Sequence, residues 1–253
     1  MSLELKISDW ISDYVKKNNI KSLVIGISGG IDSAVTSTLC AMTGFKTIVV
    51  TMPIHQKQVE TDRGEEHSLW LKNNFSSIDI VNVDLTKVYD QLICTIPNRF
   101  NNPLALANTR ARIRMSTLYM IAGSSNGIVV GTGNKVEDFG VGFFTKYGDG
   151  GVDISPIAGL MKSEVYTLAE KLNINNEILI ALPTDGLWED GRTDEDQLGV
   201  TYDELEWAMQ WEEEKNNKRT NLLSKKEKNI LSVYRMHRKQ NLHKMKTIPT
   251  FNK

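Results

Sequence analysis

Cysteine is scarce: Cys40 and Cys94 are the two in 253 residues. Two thiols cannot form a disulfide scaffold, and both lie inside apolar segments. They read as small core residues in a reducing compartment. Proline is also sparse, at six, and no proline-rich or low-complexity stretch interrupts the chain. No apolar run approaches the roughly 20 residues that span a bilayer. The N-terminus carries Glu4, Asp9 and Asp13 and lacks a signal-peptide pattern. Neither sign of charge dominates. Lys plus Arg number 30 and Asp plus Glu 31, for a net charge of −1. A global basic field for nucleic acid is therefore absent. Together these point to a cytoplasmic protein with no membrane partner and no nucleic-acid partner.

What is present is ordinary globular composition, 40% hydrophobic and 24% charged, in a chain long enough to bury a full core. The stretch with chemistry is Gly26-Ile27-Ser28-Gly29-Gly30-Ile31-Asp32-Ser33. It follows Leu23-Val24-Ile25 and opens into an apolar helical segment, so it reads as strand, glycine turn, helix. Such turns bring successive N–H groups to a helix N-terminus, where anions bind. A Walker A loop would carry Lys where Asp32 stands. A carboxylate beside phosphate needs a cation between them. Mg²⁺ prefers oxygen ligands and commonly bridges carboxylates to phosphates. A metal-bound nucleotide, with Asp32 as one ligand of the metal, is the expectation.

The rest of the chain alternates. Helical spacing over 3–17 precedes a strand at 21–27, and a helix from the glycine turn stops near Gly44. Strands follow at 46–52, 78–83 and 128–130, with helices at 58–73, 85–96 and 104–123. This order predicts a single α/β domain over 1–253: a Rossmann-like parallel sheet flanked by helices. Residues 131–153 form a long glycine-rich segment with Phe143, Phe144 and Tyr147, read as an active-site loop. Helices are expected at 162–172 and 176–182, and a second polar loop at 183–200. Capping boxes at Thr201-Tyr202-Asp203-Glu204 and Ser224-Lys225-Lys226-Glu227 open two C-terminal helices, 202–217 and 225–240.

The glycine stretch resembles the SGGxDS loop of the ATP pyrophosphatases, which cleave ATP to AMP and pyrophosphate. Gly131-Thr132-Gly133-Asn134-Lys135-Val136-Glu137, the run from Gly142 to Asp153, and Leu182-Pro183-Thr184-Asp185-Gly186-Leu187-Trp188 resemble the NAD synthetase family within it. The resemblance covers about residues 5–249. It implies an adenine-nucleotide-hydrolase-like fold and a ligase that amidates the nicotinate carboxylate of deamido-NAD with ammonia, through an acyl-adenylate. It also implies a homodimer. With no room for a glutaminase domain, nitrogen would come from free ammonia or a separate glutaminase.

The same resemblance assigns roles. Gly26, Ile27, Ser28, Gly29, Gly30, Ile31, Asp32 and Ser33 would cradle ATP, with Thr132, Lys162 and Thr184. Asp32 and Glu137 would bind Mg²⁺. Arg112, Lys146, Asp153, His243 and Lys244 would contact deamido-NAD, and Met52 and Gln56 the adenine. Lys162 and Asp153 would be catalytic, Asp153 by holding ammonium. Several residues keep a plain alternative. Glu137 could be a solvated loop acid, Asp153 a structural turn residue, and Arg112 one of a solvated helical run with Arg110 and Arg114. Met245 stands where relatives carry a charge, and His237-Arg238-Lys239 offers another register for the tail. An extra residue in Asp138-Phe139-Gly140-Val141 implies a locally different loop. Rival functions are the same chemistry on nicotinate mononucleotide, a tRNA-modifying pyrophosphatase, and a non-catalytic nucleotide-binding protein.

Overall fold

A computed structural model of the chain describes residues 1–184, 186–187, 192–214 and 222–251. Four parallel strands, β1 (Ser22–Gly26), β2 (Lys46–Thr51), β3 (Ile78–Asn82) and β4 (Gly127–Val129), lie in the order β3-β2-β1-β4. The connections carry α2 (Ile31–Met42) after β1, α3 (Gln58–Asn74) after β2, and α4 (Thr86–Thr95) and α5 (Pro103–Ser124) after β3. The amphipathic α1 (Leu3–Lys17) precedes the sheet. The strand order reverses between β1 and β4, which opens a crevice at their carboxyl ends. Both segments singled out in the sequence, 26–33 and 131–137, begin there.

Alternating side chains cover both faces of this sheet, as parallel sheets require. Leu23, Ile25 and Val49 pack with α1, α2 and α6 (Lys162–Lys171) on one face. Val24, Ile48 and Val50 pack with Met115 and Leu118 of α5 on the other. A separate cluster sits over the C-terminal side. There a π-helix at Lys135–Val141 contributes Val136 and Val141, packed on Leu205 of α9 (Tyr202–Glu213) and Leu231 of α10 (Lys225–Met245). Trp207 and Trp211 stack at 5.8 Å against this cluster.

Several elements depart from the sequence expectation. The 131–153 segment is not wholly irregular. It winds a seven-residue π-helix, the geometry that absorbs one extra residue in a helical turn. The polar 183–200 segment contains a short helix, α8 (Asp194–Leu198), opened by a Thr193–Asp196 capping box. The helix expected at 176–182 shortens to α7 (Asn176–Leu179), and α10 runs five residues past its expected end at 240. The extension is held from outside the helix. Asn241 Nδ2 donates to the Val141 carbonyl at 2.9 Å and Lys244 Nζ to that of Phe144 at 2.7 Å. Residues 215–217, expected to end the preceding helix, lie outside the described residues. Cys40 is buried, as expected, and burial pushes its thiol up to about 12. Cys94 instead faces solvent, because it falls on the outer side of α4. Among the described residues no helix is long and apolar enough to cross a membrane.

One buried residue makes stability depend on pH. His67 on α3 lies against α2, with Nε2 2.9 Å from Ser37 Oγ and its ring stacked on Trp70. Burial lowers its pKa from 6.5 to about 4. Above pH 6.5 the imidazole is neutral folded and unfolded, so it adds no pH dependence. Below that, only the unfolded chain takes up the proton, and stability falls until the folded pKa is reached. The full loss is about 3 kcal/mol, roughly 2 of it by pH 5. Urea unfolding of the parent and His67→Gln at pH 7.5 and pH 5 measures it. Equal pH dependence in the two proteins would remove His67 as the cause.

Candidate active site

The carboxyl end of β1 turns into α2 through the glycine stretch. Gly29 has φ +81°, and a Cβ there would lie 2.5 Å from the Glu60 carbonyl, so only glycine fits between this loop and α3. The loop braces itself. Ser33 Oγ donates to the Gly30 carbonyl at 2.9 Å and accepts from Ser28 N at 3.3 Å, while Gly30 N donates to Ser28 Oγ at 3.2 Å. These bonds hold the turn open at the N-terminus of α2. The loop lines a cavity of about 530 Å³ whose rim includes Met52, Gln56, Thr132, Lys162 and Thr184.

The chemical centre of this cavity is assembled from three distant segments. Lys162, the first residue of α6, reaches Asp32 Oδ2 at 2.6 Å and Glu137 Oε1 at 2.9 Å, and its side chain is 3% exposed. A cation at a helix N-terminus opposes the dipole, and here the two carboxylates offset that cost. They also hold the Lys162 ammonium above its usual range, although burial alone would lower it. Burial raises the Asp32 carboxyl despite Lys162, and Glu137 adds to the rise. Glu137 goes the other way. Burial favours its acid form, but Lys162 and the hydrogen bonds from Tyr202 and Asn134 outweigh it.

Two further residues set this geometry. Asn134 is fully buried. Its Oδ1 accepts from Val136 N and Glu137 N, capping the π-helix, and its Nδ2 donates to Asp32 Oδ1 at 3.1 Å. One side chain thereby ties the α2 carboxylate to the segment bearing Glu137. Tyr202, at the start of α9, donates its hydroxyl to Glu137 Oε1 at 2.6 Å, with Asp194 Oδ2 at 3.1 Å. Burial and these acids raise the phenol above its ordinary pKa, so it stays a neutral donor. Neither residue stands out in the sequence. Tyr202 reads there only as part of a capping box, and Asn134 only as part of a family motif.

Asp32 and Glu137, the two carboxylates expected to bind Mg²⁺, both pair with the Lys162 ammonium. Among the described residues no group of three His, Cys, Asp or Glu could hold a metal. Two carboxylates that border the cavity still fit this ion, which takes one or two carboxylates and draws its other ligands from phosphate and water. One ammonium against two carboxylates also leaves one negative charge in excess. Asp138, next to Glu137 in the chain, is pushed against Gly133 so closely that a Cβ there would meet its Oδ2 at 1.8 Å. Burial raises its carboxyl well above the usual range, and Glu137 adds to the rise.

A second cavity, about 640 Å³, adjoins the first and shares Met115, Asp138, Phe144, Val152 and Lys244 with it. Lys146 lines it as well. Arg112 donates to the Lys146 carbonyl at 3.2 Å, borders neither cavity and supports the loop instead. Asp153 also lies outside both. Its Oδ2 accepts from Val129 N at 2.7 Å and its Oδ1 from Tyr119 at 3.1 Å, the structural alternative left open for it. Within α10, His243 Nδ1 lies 3.0 Å from the Gln240 carbonyl, outside the cavity walls. Arg238, from the competing register, donates to the carbonyls of Phe139 and Gly140 and clamps the π-helix. Arg110 and Arg114 are no solvated run. Arg114 donates to the Met52 carbonyl at 2.9 Å and to Gln56 at 2.7 Å, and Arg110 sits over the Tyr89 ring. Gln56 in turn donates to the Gly186 carbonyl at 3.2 Å, which brings the Thr184 segment over the cavity. Asp185 and Trp188 of that motif lie outside the described residues.

Comparison with known proteins covers nearly the whole chain. The sequence model of the NAD synthase family matches residues 4–248. An NH(3)-dependent NAD(+) synthetase from Mycoplasma genitalium is 40% identical over 206 residues, which cover 79% of this chain and 79% of that protein. An NMN synthetase structure from Francisella tularensis superposes with TM-score 0.85 at 32% identity, covering 99% of this chain and 97% of the other. An NH3-dependent NAD synthetase from Campylobacter jejuni superposes at 0.80 with 26% identity, covering 99% and 98%.

Proposed function

The chain belongs to the NAD synthase family, and from that membership we propose how its two cavities divide an ATP-dependent amidation of deamido-NAD by ammonia. The first cavity takes ATP and the second the acceptor's nicotinate end. An acceptor carboxylate oxygen attacks the α-phosphorus of ATP, and the α–β bond breaks with its electron pair leaving on pyrophosphate. Ammonia then adds to the acyl carbon, AMP departs with the electron pair of the C–O bond, and the excess amide proton goes to solvent. NAD, AMP and pyrophosphate result. The observation that carries this reading is the Lys162 ammonium held between Asp32 and Glu137 in the cavity that the phosphate-type loop lines.

Each residue has a task in this reading. Gly26 to Ser33 cradle the phosphates, with Thr132 and Thr184 at the rim. Met52, Gln56 and Arg114 surround the base. Lys162 offsets charge that develops on the transferring oxygens. Asp32 and Glu137 would hold Mg²⁺, which supplies further charge neutralisation when bound. Lys146 and Lys244 face the acceptor's anionic groups. Asp153 supports the wall of this site by holding the β4 edge, rather than by touching ammonium.

A homodimer and a cytoplasmic setting accompany the reading. Val88 and Leu92, one turn apart on α4, are exposed apolar side chains that a second copy could cover. Free ammonia or a separate glutaminase would supply the nitrogen.

The test is one assay: protein, Mg-ATP, ammonium and deamido-NAD, with NAD, AMP and pyrophosphate measured. Stoichiometric NAD and AMP are expected. ADP, or ATP binding without turnover, would overturn the reading. The 32% likeness to an NMN synthetase over nearly the whole chain favours one second reading, the same chemistry on nicotinate mononucleotide. Running both acceptors and comparing kcat/KM decides between them.

A further inference from the structure

The glycine loop touches a second helix besides its own. α3 packs directly on it, with the Glu60 carbonyl and Gly64 N against Gly29. From this contact Arg63 extends along the loop. Its Nε donates to the Gly29 carbonyl at 3.3 Å, and the side chain lines the nucleotide cavity beside Ser28 and Gly30.

Among the described residues four cations line that cavity, and the charged nitrogens of three already have protein partners. Lys162 is paired with Asp32 and Glu137. Arg114 holds Met52 and Gln56 at the base end. Lys244 holds the Phe144 carbonyl on the far wall. The terminal guanidinium nitrogens of Arg63 make no hydrogen bond or ion pair with the described residues. The loop itself needs such a charge. Asp32 stands in its first helical turn, Ser28 N and Gly30 N already donate within the loop, and Lys162 is outnumbered by its carboxylates. A polyphosphate entering here meets net negative charge on the protein side. A planar guanidinium can grip two phosphate oxygens at once, which a point charge cannot.

We propose that Arg63 is a binding residue for the two terminal phosphates of ATP, the pair that departs as pyrophosphate. The assignment rests on the reading of the first cavity as the ATP site. When the α–β bond breaks, its electron pair moves onto the leaving pyrophosphate, and Arg63 neutralises that added charge. No motif marks the residue, because it lies on a polar helix thirty positions beyond the end of the loop.

Calorimetric titration of the full chain tests this, with magnesium pyrophosphate and AMP as separate probes. In Arg63→Met, pyrophosphate binding is expected to weaken about tenfold or more, with AMP binding within about twofold of the parent. Arg63→Lys should fall between, since it keeps the charge and loses the fork. The KM for ATP should rise with the loss of pyrophosphate affinity. Unchanged pyrophosphate binding in Arg63→Met would overturn the proposal. So would equal weakening of both probes together with a lower melting temperature, because that identifies Arg63 as a prop for Gly29. A parent protein that binds neither probe would overturn the ATP-site reading beneath it, whereas binding by the parent with no change in the variant defeats Arg63 alone.

Discussion

Asp32→Asn should lower kcat/KM by about 100- to 1,000-fold while the protein still folds. The substitution is nearly isosteric. It removes the negative charge beside the phosphate loop and the acceptor for the Lys162 ammonium, but Glu137 continues to pair with Lys162 at 2.9 Å. No buried charge is stranded, so the stability change should stay within about 2 kcal/mol, the size of one charged hydrogen bond. The burial that raises the Asp32 pKa acts in the same direction, since a neutral amide is easier to bury than a carboxylate. Steady-state kinetics and thermal melts measured on one preparation separate the two effects. Parental activity in the variant would refute a role for Asp32 in the reaction. Lost activity with a collapsed melting temperature would show that the residue is structural.

Lys162→Met should be worse on both counts. It removes the only cation in contact with Asp32 and Glu137 among the described residues and leaves two partly buried carboxylates facing each other. Breaking a buried pair from one side costs about 3–5 kcal/mol, and activity should fall by about a thousandfold. The pH dependence gives this prediction its signature. Without the ammonium, a carboxyl that burial already raises will rise further. A group whose folded pKa exceeds its unfolded value adds stability at low pH and loses it as pH rises through the folded pKa. The stability gap between parent and variant should therefore narrow as pH falls. A gap independent of pH would mean that the carboxylates are not left uncompensated. Adding Asp32→Asn to Lys162→Met should recover part of the stability, because only one acid then remains. Strict additivity of the two changes would contradict the direct coupling seen in the geometry.

These expectations rest on residues with different degrees of legibility. Asp32 could be picked out in the sequence because it stands where a Walker loop needs lysine. Only the family resemblance marks Glu137 and Lys162, and nothing in their spacing gives their arrangement. The resemblance makes the two acids Mg²⁺ ligands, and the structure adds that the Lys162 ammonium pairs with both. Arg112 and Asp153 illustrate the reverse. Their chemistry suits a substrate contact, yet Arg112 ends on a loop carbonyl and Asp153 on the β4 edge. Charge at a position says what a side chain can bind, and the fold decides what lies within reach.

Local pattern alone determined the parallel α/β order, the phosphate-type turn after β1 and the capped starts of α9 and α10. Each depends on neighbours within a turn or a strand, so periodicity and capping chemistry suffice to read it. Tertiary structure decided the rest. Asp32, Glu137 and Lys162 are 105 and 25 residues apart along the chain and meet within hydrogen-bonding distance. Asn134 links two of those segments, Tyr202 braces them from α9, and Arg63 reaches the loop from α3. Desolvation and Coulomb energy depend on distance through space, and only the packing of α3, α6, α9 and the π-helix around one crevice sets those distances.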